Sequence, residues 1–306
     1  MVMDMSQPMI KVSAATKHYK GKAAVDNISF DVAAGRVTGF VGPNGAGKST
    51  TMRMMVGLSR PDSGEVRYAG TRYTDLVNPA RVVGSVLDAR CMHPGRTARN
   101  HLRSFAALSG VSNKRVDEVL EAVGLETAAN QKAGGFSLGM RQRLALAGAL
   151  LGNPEVLLLD EPANGLDPDG IRWLRTYLGG FAADGGTVFV SSHLISELSQ
   201  FADDLVVIGA GKLLANDSVA NIMSNNESSI IVGSPDPGLL GDLLVARGGS
   251  VTLVDQHLVV TGLSRQQVSH LAFDNRIRVD QLSESTTSLE DTLLEMTSAS
   301  AEFASV

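Results

Sequence analysis

Gly42-Pro43-Asn44-Gly45-Ala46-Gly47-Lys48-Ser49-Thr50 is the stretch whose reading decides the fold. It fits GxxxxGK[ST], the phosphate-binding loop, and adds a second threonine. Val37-Thr38-Gly39-Phe40-Val41 ahead of it reads as a short buried strand, and Thr51-Met52-Arg53-Met54-Met55-Val56 behind it as a helix with no breaker. Strand, glycine loop and helix in that order is the setting the motif requires. The glycines let the main chain approach a phosphate closely, and the first turn of the helix offers N–H groups with no partner in their own helix. In this reading residues 42–50 hold a nucleoside triphosphate, Lys48 reaches the β and γ oxygens, and the Ser49 hydroxyl faces Mg²⁺. The competing reading, a tight glycine-rich turn that binds nothing, has the flanking context against it.

Upstream, residues 10–14 and 24–32 read as strands, the second alternating around Val25, Ile28, Phe30 and Val32. Tyr19 lies between them in His18-Tyr19-Lys20-Gly21. By itself it is a half-buried loop aromatic; ahead of a phosphate loop it is also a candidate platform for an adenine ring. Downstream, Pro61-Asp62-Ser63-Gly64-Glu65-Val66 is a turn into a strand, and the apolar run 82–87 ends at Asp88. Arg90, His93, Arg96, Arg99, His101 and Arg103 then form a basic segment, either a solvated face or a docking surface for an acidic partner. Residues 99–125 read as two helices broken at Gly110. A further helix, opened by Gly134-Gly135-Phe136-Ser137-Leu138-Gly139-Met140-Arg141-Gln142-Arg143 and running to Leu151, is stopped by Asn153-Pro154.

Val156-Leu157-Leu158-Leu159 leads directly into Asp160-Glu161-Pro162, and Thr187-Val188-Phe189-Val190 into Ser191-Ser192-His193. Strands without alternation, joined by helices, predict a parallel sheet covered on both faces. Ligands of such sheets bind beyond the carboxyl ends of the strands. Three strands therefore deliver the loop, the paired carboxylates and a histidine to one edge.

The 306 residues set a prior of about two domains. The net charge of −5 gives no sign of a nucleic-acid partner. Cys91, the single cysteine, has no internal partner, which suits a reducing cytosol. Met1-Val2-Met3-Asp4-Met5 has neither the basic nor the apolar region of a signal peptide. No apolar run approaches the roughly 18 residues of a membrane span.

Together these segments resemble the nucleotide-binding subunits of bacterial ATP-binding cassette (ABC) transporters, from residue 10 to about residue 223. The resemblance rests on the 42–50 loop, the signature-like Phe136-Ser137-Leu138-Gly139-Met140, Leu159-Asp160-Glu161-Pro162, Gly165-Leu166-Asp167 and His193, in that order. It implies an α/β P-loop NTPase fold with an inserted helical subdomain at about 91–153, inside an ATP-binding domain spanning 1–225. Lys48, Glu161 and His193 would be catalytic: Glu161 polarises the attacking water and His193 donates to the γ-phosphate. Gly42, Pro43, Asn44, Gly45, Ala46, Gly47, Lys48, Ser49 and Thr50 would hold ATP, with Tyr19 stacked on adenine. Ser49 and Asp160, the latter through a water, would serve Mg²⁺. Ser137, Gly139 and Asp167 would contact the nucleotide of a second copy, so the working unit would be a homodimer closing over two ATP. The subgroup it looks most like exports drugs and antibiotics through a separate integral membrane permease, with the ATPase on the inner, cytoplasmic face of the membrane. The rival readings are a soluble ABC-type ATPase unconnected with transport and a nucleotide-binding module with little turnover.

The sequence departs from the family pattern at several places. Asp88 stands where the family usually has Gln, and is expected to substitute as an Mg²⁺ contact. Leu138 replaces a glycine of the signature, Met140 a glutamine, and Ala163 a frequent threonine.

Residues 226–306 read as an accessory domain. The order strand 230–232, helix 239–246, strand 251–254, strand 258–261, helix 264–272, strand 277–282 is βαββαβ, the ferredoxin-like arrangement. His257 and His270 are read as ordinary surface or core residues. A last helix opened by Ser288-Leu289-Glu290-Asp291, with Leu289, Leu293 and Met296 on one face, precedes an acidic tail. The domain is either a packing appendage or a regulatory, dimer-supporting module.

Overall fold

The computed structural model describes residues 8–88, 92–193, 198, 200–224, 229–254 and 256–285. They fall into two compact units, one ending at Val219 and one beginning at Ala220.

The first unit opens with β1 (Ile10–Tyr19), β2 (Lys22–Val32), β3 (Val37–Val41) and α1 (Lys48–Met55). Then come β4 (Ser63–Tyr68), β5 (Thr71–Arg72), α2 (Pro79–Val82), β6 (Val83–Val86), α3 (Ala98–Leu108), α4 (Asn113–Ala122) and α5 (Leu138–Leu150). It closes with β7 (Val156–Leu159), α6 (Pro168–Ala183), β8 (Thr187–Ser192), β9 (Asp204–Gly209) and β10 (Lys212–Ser218). The central sheet runs β10-β9-β3-β8-β7-β6, parallel except for β10. Every residue of β3, β7 and β8 is buried, which is why their sequences do not alternate. A smaller antiparallel sheet runs β2-β1-β4-β5.

The two sheets share a core. Phe30 of β2 stacks on Phe189 of β8 with ring centroids 5.7 Å apart, and Phe40 of β3 lies 5.1 Å from Phe189. Aromatic contacts of this kind add to the burial of three large side chains and fix the sheets against each other. Met52 and Met55 of α1 are fully buried beside them, and the Tyr68 hydroxyl donates to Met55 O at 3.0 Å. Leu102 of α3, Leu120 of α4 and Leu144 of α5 are buried in the helical insertion.

Two local expectations change. Tyr19 ends β1 instead of lying in a loop, because Lys20 (φ 50°) and Gly21 (φ 80°) close a two-residue hairpin with both residues left-handed. A second hairpin, β9–β10, turns the same way at Ala210 (φ 47°) and Gly211 (φ 81°), where the sequence reading assigns no strands.

The second unit contains β11 (Ser229–Gly233), the helix Pro237–Ala246, β12 (Ser250–Val254), β13 (His257–Thr261), the helix Arg265–Asp274 and β14 (Gln281–Ser285). Its antiparallel sheet runs β12-β13-β11-β14, the expected βαββαβ order. Val232, Leu240, Leu244, Val260 and Val268 form its core. A Ser264–Gln267 capping box starts the second helix. The last strand begins at Gln281, not at residue 277: Ile277 is buried in the core and its N–H donates to Ala272 O, so it closes the helix instead of starting the strand. The helix expected from Ser288, with Leu289, Leu293 and Met296, lies outside the described residues, as do Arg90 and Cys91.

Candidate nucleotide site

The 42–50 loop joins the carboxyl end of β3 to α1. Two of its glycines are required by close approach. A β-carbon on Gly42 would stand 2.2 Å from Ile208 O; one on Gly47, at φ 107°, would stand 2.5 Å from Ala24 O. Gly45 is also left-handed, at φ 84°, but nothing lies within 4 Å of the β-carbon position. The loop is closed by Ala46 N–H on Pro43 O and tied to the β9–β10 turn by Gly211 N–H on Ala46 O. Side chains cap α3 (Thr97), α4 (Ser112), α5 (Ser137) and α6 (Asp167), whereas α1 starts at Gly47 with no side-chain cap. Its first N–H groups are thus left for an anion. Lys48, 6% exposed, donates from Nζ to Gly42 O at 2.6 Å and stands 3.5 Å from Glu161 Oε1.

The register Val41↔Ser192 and Leu159↔Val190 aligns the ends of β3, β8 and β7. Asp160 N–H makes one last bond, to Val86 O. Glu161 then turns into the left-handed region, φ 49°, a conformation costing a side-chain-bearing residue on the order of 1 kcal/mol. Its N–H donates to Ser191 Oγ at 2.9 Å, and the Ser191 hydroxyl donates to Asp160 Oδ1 at 2.6 Å. Glu161 Oε2 lies 2.7 Å from His193 Nδ1; a carboxylate oxygen only accepts, so the ring N–H donates. One carboxylate is thereby held between an ammonium and an imidazole over the loop.

These groups face a cleft of ≈ 400 Å³, also lined by Ala24, Asn44, Ser49, Thr50 and Asn164. The cleft unites Lys48, Glu161 and His193 with the loop, as the sequence reading expects. Asp160 stands immediately behind Glu161. Three contributors escape that reading: Ala24, Asn164 and the Ser191 hydroxyl. The Ser-Ser-His run marks a polar strand end but does not reveal that its first member bridges Asp160 and Glu161.

The remaining candidates lie elsewhere. Tyr19 is 47% exposed, its hydroxyl 3.2 Å from Ser59 Oγ and Lys17 Nζ 5.7 Å from its ring centroid; it does not line the cleft. Ser137 accepts from Met140 N–H at 3.2 Å, and Asp167 from Gly170 N–H at 2.8 Å. The signature departure Leu138 lies over Gly165, where an added β-carbon would be 2.5 Å from Leu138 Cδ2; a β-carbon on Gly139 would be 3.6 Å from Leu166. The Ser137–Gly139 turn and residues 165–167 therefore abut each other, and none of these residues lines their own chain's cleft. Asp88 lines a different feature, a groove of ≈ 600 Å³ shared with Arg53, Leu58, Met92, Phe105 and Leu108. In the basic segment, Arg99 is paired with Asp117, and Arg96 donates to Ser104 Oγ.

Comparison with known proteins matches residues 25–164 to the ABC transporter family and residues 228–290 to a domain of unknown function, DUF8746. The uncharacterized ABC transporter ATP-binding protein YhcH of Bacillus subtilis is 36% identical over 306 residues, covering 96% of this chain and 97% of its own. The chain belongs to the ABC transporter ATP-binding family. The bacitracin transport ATP-binding protein BcrA of Bacillus licheniformis is 35% identical, covering 92% and 95% of the two chains. The lantibiotic transport ATP-binding protein SrtF of Streptococcus pyogenes is 35% identical over 67% of this chain and 89% of its own. Among solved ABC cassettes, the dimeric post-hydrolysis structure of MJ0796 bound to ADP and Pi is 27% identical with TM-score 0.63, covering 69% of this chain and 99% of that one. As an ABC ATP-binding subunit, the chain binds and hydrolyses ATP, and the P-loop NTPase fold expected from the sequence is the fold it has.

Proposed function

We propose that two copies of this chain close over two ATP molecules and power export through a separate membrane permease. Each copy binds one nucleotide on its own 42–50 loop and contributes Ser137, Gly139 and Asp167 to the nucleotide of the other. Three observations support this: the open N-terminus of α1, the position of residues 137–139 and 165–167 outside their own cleft, and the dimeric state of the cassette MJ0796. Export of an antibiotic-like or other amphipathic compound is the reading favoured by BcrA and SrtF, whose names assign them bacitracin and lantibiotic transport.

Within each site Lys48 faces the β and γ oxygens, and the first N–H groups of α1 receive the phosphates. Glu161, held by the N–H at His193 Nδ1, orients the attacking water and accepts its developing proton; the other ring nitrogen would donate beside the γ-phosphate only when the ring carries a second proton. Ser49 and Asp160 would supply the hard oxygens suited to Mg²⁺, and the ion would offset phosphate charge there. Tyr19, exposed at the end of β1 and outside the cleft, would stack on the adenine where the base extends beyond the phosphates.

The groove beside Asp88 suits a short amphipathic segment of the permease on the inner face of the membrane. Its apolar walls include the exposed Leu58, Phe105 and Leu108, with Arg53 and Asp88 among its charges. Among the described residues no helix is long and apolar enough to cross a membrane. Asp88→Gln separates the two roles open to that residue: altered Mg²⁺ dependence marks a metal contact, and lost transport coupling marks the groove.

The observation that carries the hydrolytic reading is the Glu161 carboxylate fixed between Lys48 and His193. Glu161→Gln should abolish steady-state Mg²⁺-dependent ATPase, leaving only slow single-turnover hydrolysis, while nucleotide binding survives; wild-type turnover in that variant would defeat the assignment. Ser137→Ala should reduce turnover far more than its capping role alone predicts.

A further inference from the structure

We propose that Ser191 is a positioning residue for ATP hydrolysis: its hydroxyl holds the Asp160–Glu161 peptide in the turn that aims the Glu161 carboxylate. The proposal rests on the reading of Glu161 as the group that orients the attacking water.

Ser191 lies in β8, a strand with every position buried, and is itself 0% exposed. A hydroxyl there is costly unless it is paired. It is paired in both senses, donating to Asp160 Oδ1 at 2.6 Å and accepting from Glu161 N–H at 2.9 Å. The two bonds grip one peptide unit from its two ends. That unit is where the β7 ladder stops: Asp160 N–H still reaches Val86 O, and Glu161 N–H has left the sheet. Glu161 takes φ 49°, a conformation held only where surroundings impose it. Its own C=O then accepts from Asn164 N–H at 3.2 Å, which completes the turn.

The side chain leaves that backbone toward His193 at 2.7 Å and Lys48 at 3.5 Å. A change in the peptide's tilt therefore moves the carboxylate relative to both. An apolar residue at 191 would strip Glu161 N–H and Asp160 Oδ1 of this partner together. His193 steadies the carboxylate from the far end; Ser191 steadies it at the root, 30 residues away in sequence from Glu161. Sequence spacing alone gives no hint of the second contact.

The test is turnover and ATP affinity for Ser191→Ala and Ser191→Cys, each alone and combined with Glu161→Gln, the combinations by single-turnover hydrolysis. For Ser191→Ala, kcat should fall on the order of 10- to 100-fold with KM changed by less than about threefold, the split that marks a loss felt at the reacting geometry. Combined with Glu161→Gln, Ser191→Ala should cost no more than about a further twofold, because the two act through one carboxylate. Wild-type kcat in Ser191→Ala overturns the proposal, as does an undiminished loss in the Glu161→Gln background. Should the alanine chain not fold, Ser191→Cys preserves the shape with a weaker donor: reduced kcat at constant KM supports the proposal, and wild-type kcat overturns it. Full turnover in Glu161→Gln alone would instead strike at the role of Glu161, a separate failure.

Discussion

Three glycines of the phosphate loop should respond differently to alanine, and the ranking follows from what a β-carbon would meet. At Gly45 there is open space, so the only cost is a left-handed backbone, on the order of 1 kcal/mol. At Gly42 the backbone is ordinary, but Ile208 O lies 2.2 Å from the new carbon and belongs to buried β9, which has no freedom to yield. At Gly47 both penalties apply, with φ 107° and Ala24 O at 2.5 Å. Main-chain displacement at either site should cost about 3 kcal/mol or more, in the range of severe overpacking. For a unit of this size 1 kcal/mol corresponds to roughly 2–4 °C in Tm. Gly45→Ala should then lower the melting point by about 2–4 °C, Gly42→Ala by about 6–12 °C for a clash of about 3 kcal/mol, and Gly47→Ala, with the backbone penalty of about 1 kcal/mol added, by about 8–16 °C. The assay is thermal unfolding without nucleotide, followed by titration of a fluorescent ATP analogue. Equal shifts at all three positions, or the largest at Gly45, would refute the steric argument.

Other outcomes follow from side-chain contacts. Arg143 lies 4.0 Å over the ring of Trp173 and donates to Val123 O, so Arg143→Ala should cost about 1–2 kcal/mol and shift the emission of this sole tryptophan to the red; an unchanged spectrum contradicts the stacking. The Asp62 carboxyl is pulled down to about 2, chiefly by its hydrogen bond from Lys17 and then by that from His18 N–H. A depressed carboxylate contributes above its ordinary value of 3.8 and loses that contribution as pH falls toward 2, so Lys17→Met should raise the Asp62 midpoint seen by NMR toward 3.8. Phe189→Ala removes the shared ring of the two sheets and should cost about 3–5 kcal/mol in urea unfolding. Arg96→Glu should weaken coupling to the permease while basal ATPase persists; Arg99→Glu should instead destabilise the helical insertion, since Arg99 is paired with Asp117.

The loop, the carboxylate pair and the histidine were legible because each combines a fixed residue type with an unalternating buried strand. The accessory unit was legible because its short strands and helices alternate at distinct periods. Position was harder to read than chemistry. Tyr19 reads as a loop residue because Lys20-Gly21 is a weaker hairpin signal than Asn-Gly. Ile277 looked like the start of a strand, since burial alone does not tell a helix-closing residue from a strand residue. Asp88 reads from the sequence as a metal contact, and the groove it lines is a feature that no motif announces. The bridge from Ser191 to Asp160 and Glu161, and the stacking of Arg143 on Trp173, join residues about 30 apart in sequence and belong to no pattern.

The helix starts α5 and α6 are closed by different chemistries, a hydroxyl at Ser137 and a carboxylate at Asp167. A carboxylate has only lone pairs to give. A hydroxyl that accepts from its own helix still owns a proton, which Ser137 can hand to an incoming oxygen without unwinding the turn it closes. On the two-copy reading proposed above, subunits could meet and part at this serine with the helix start left closed.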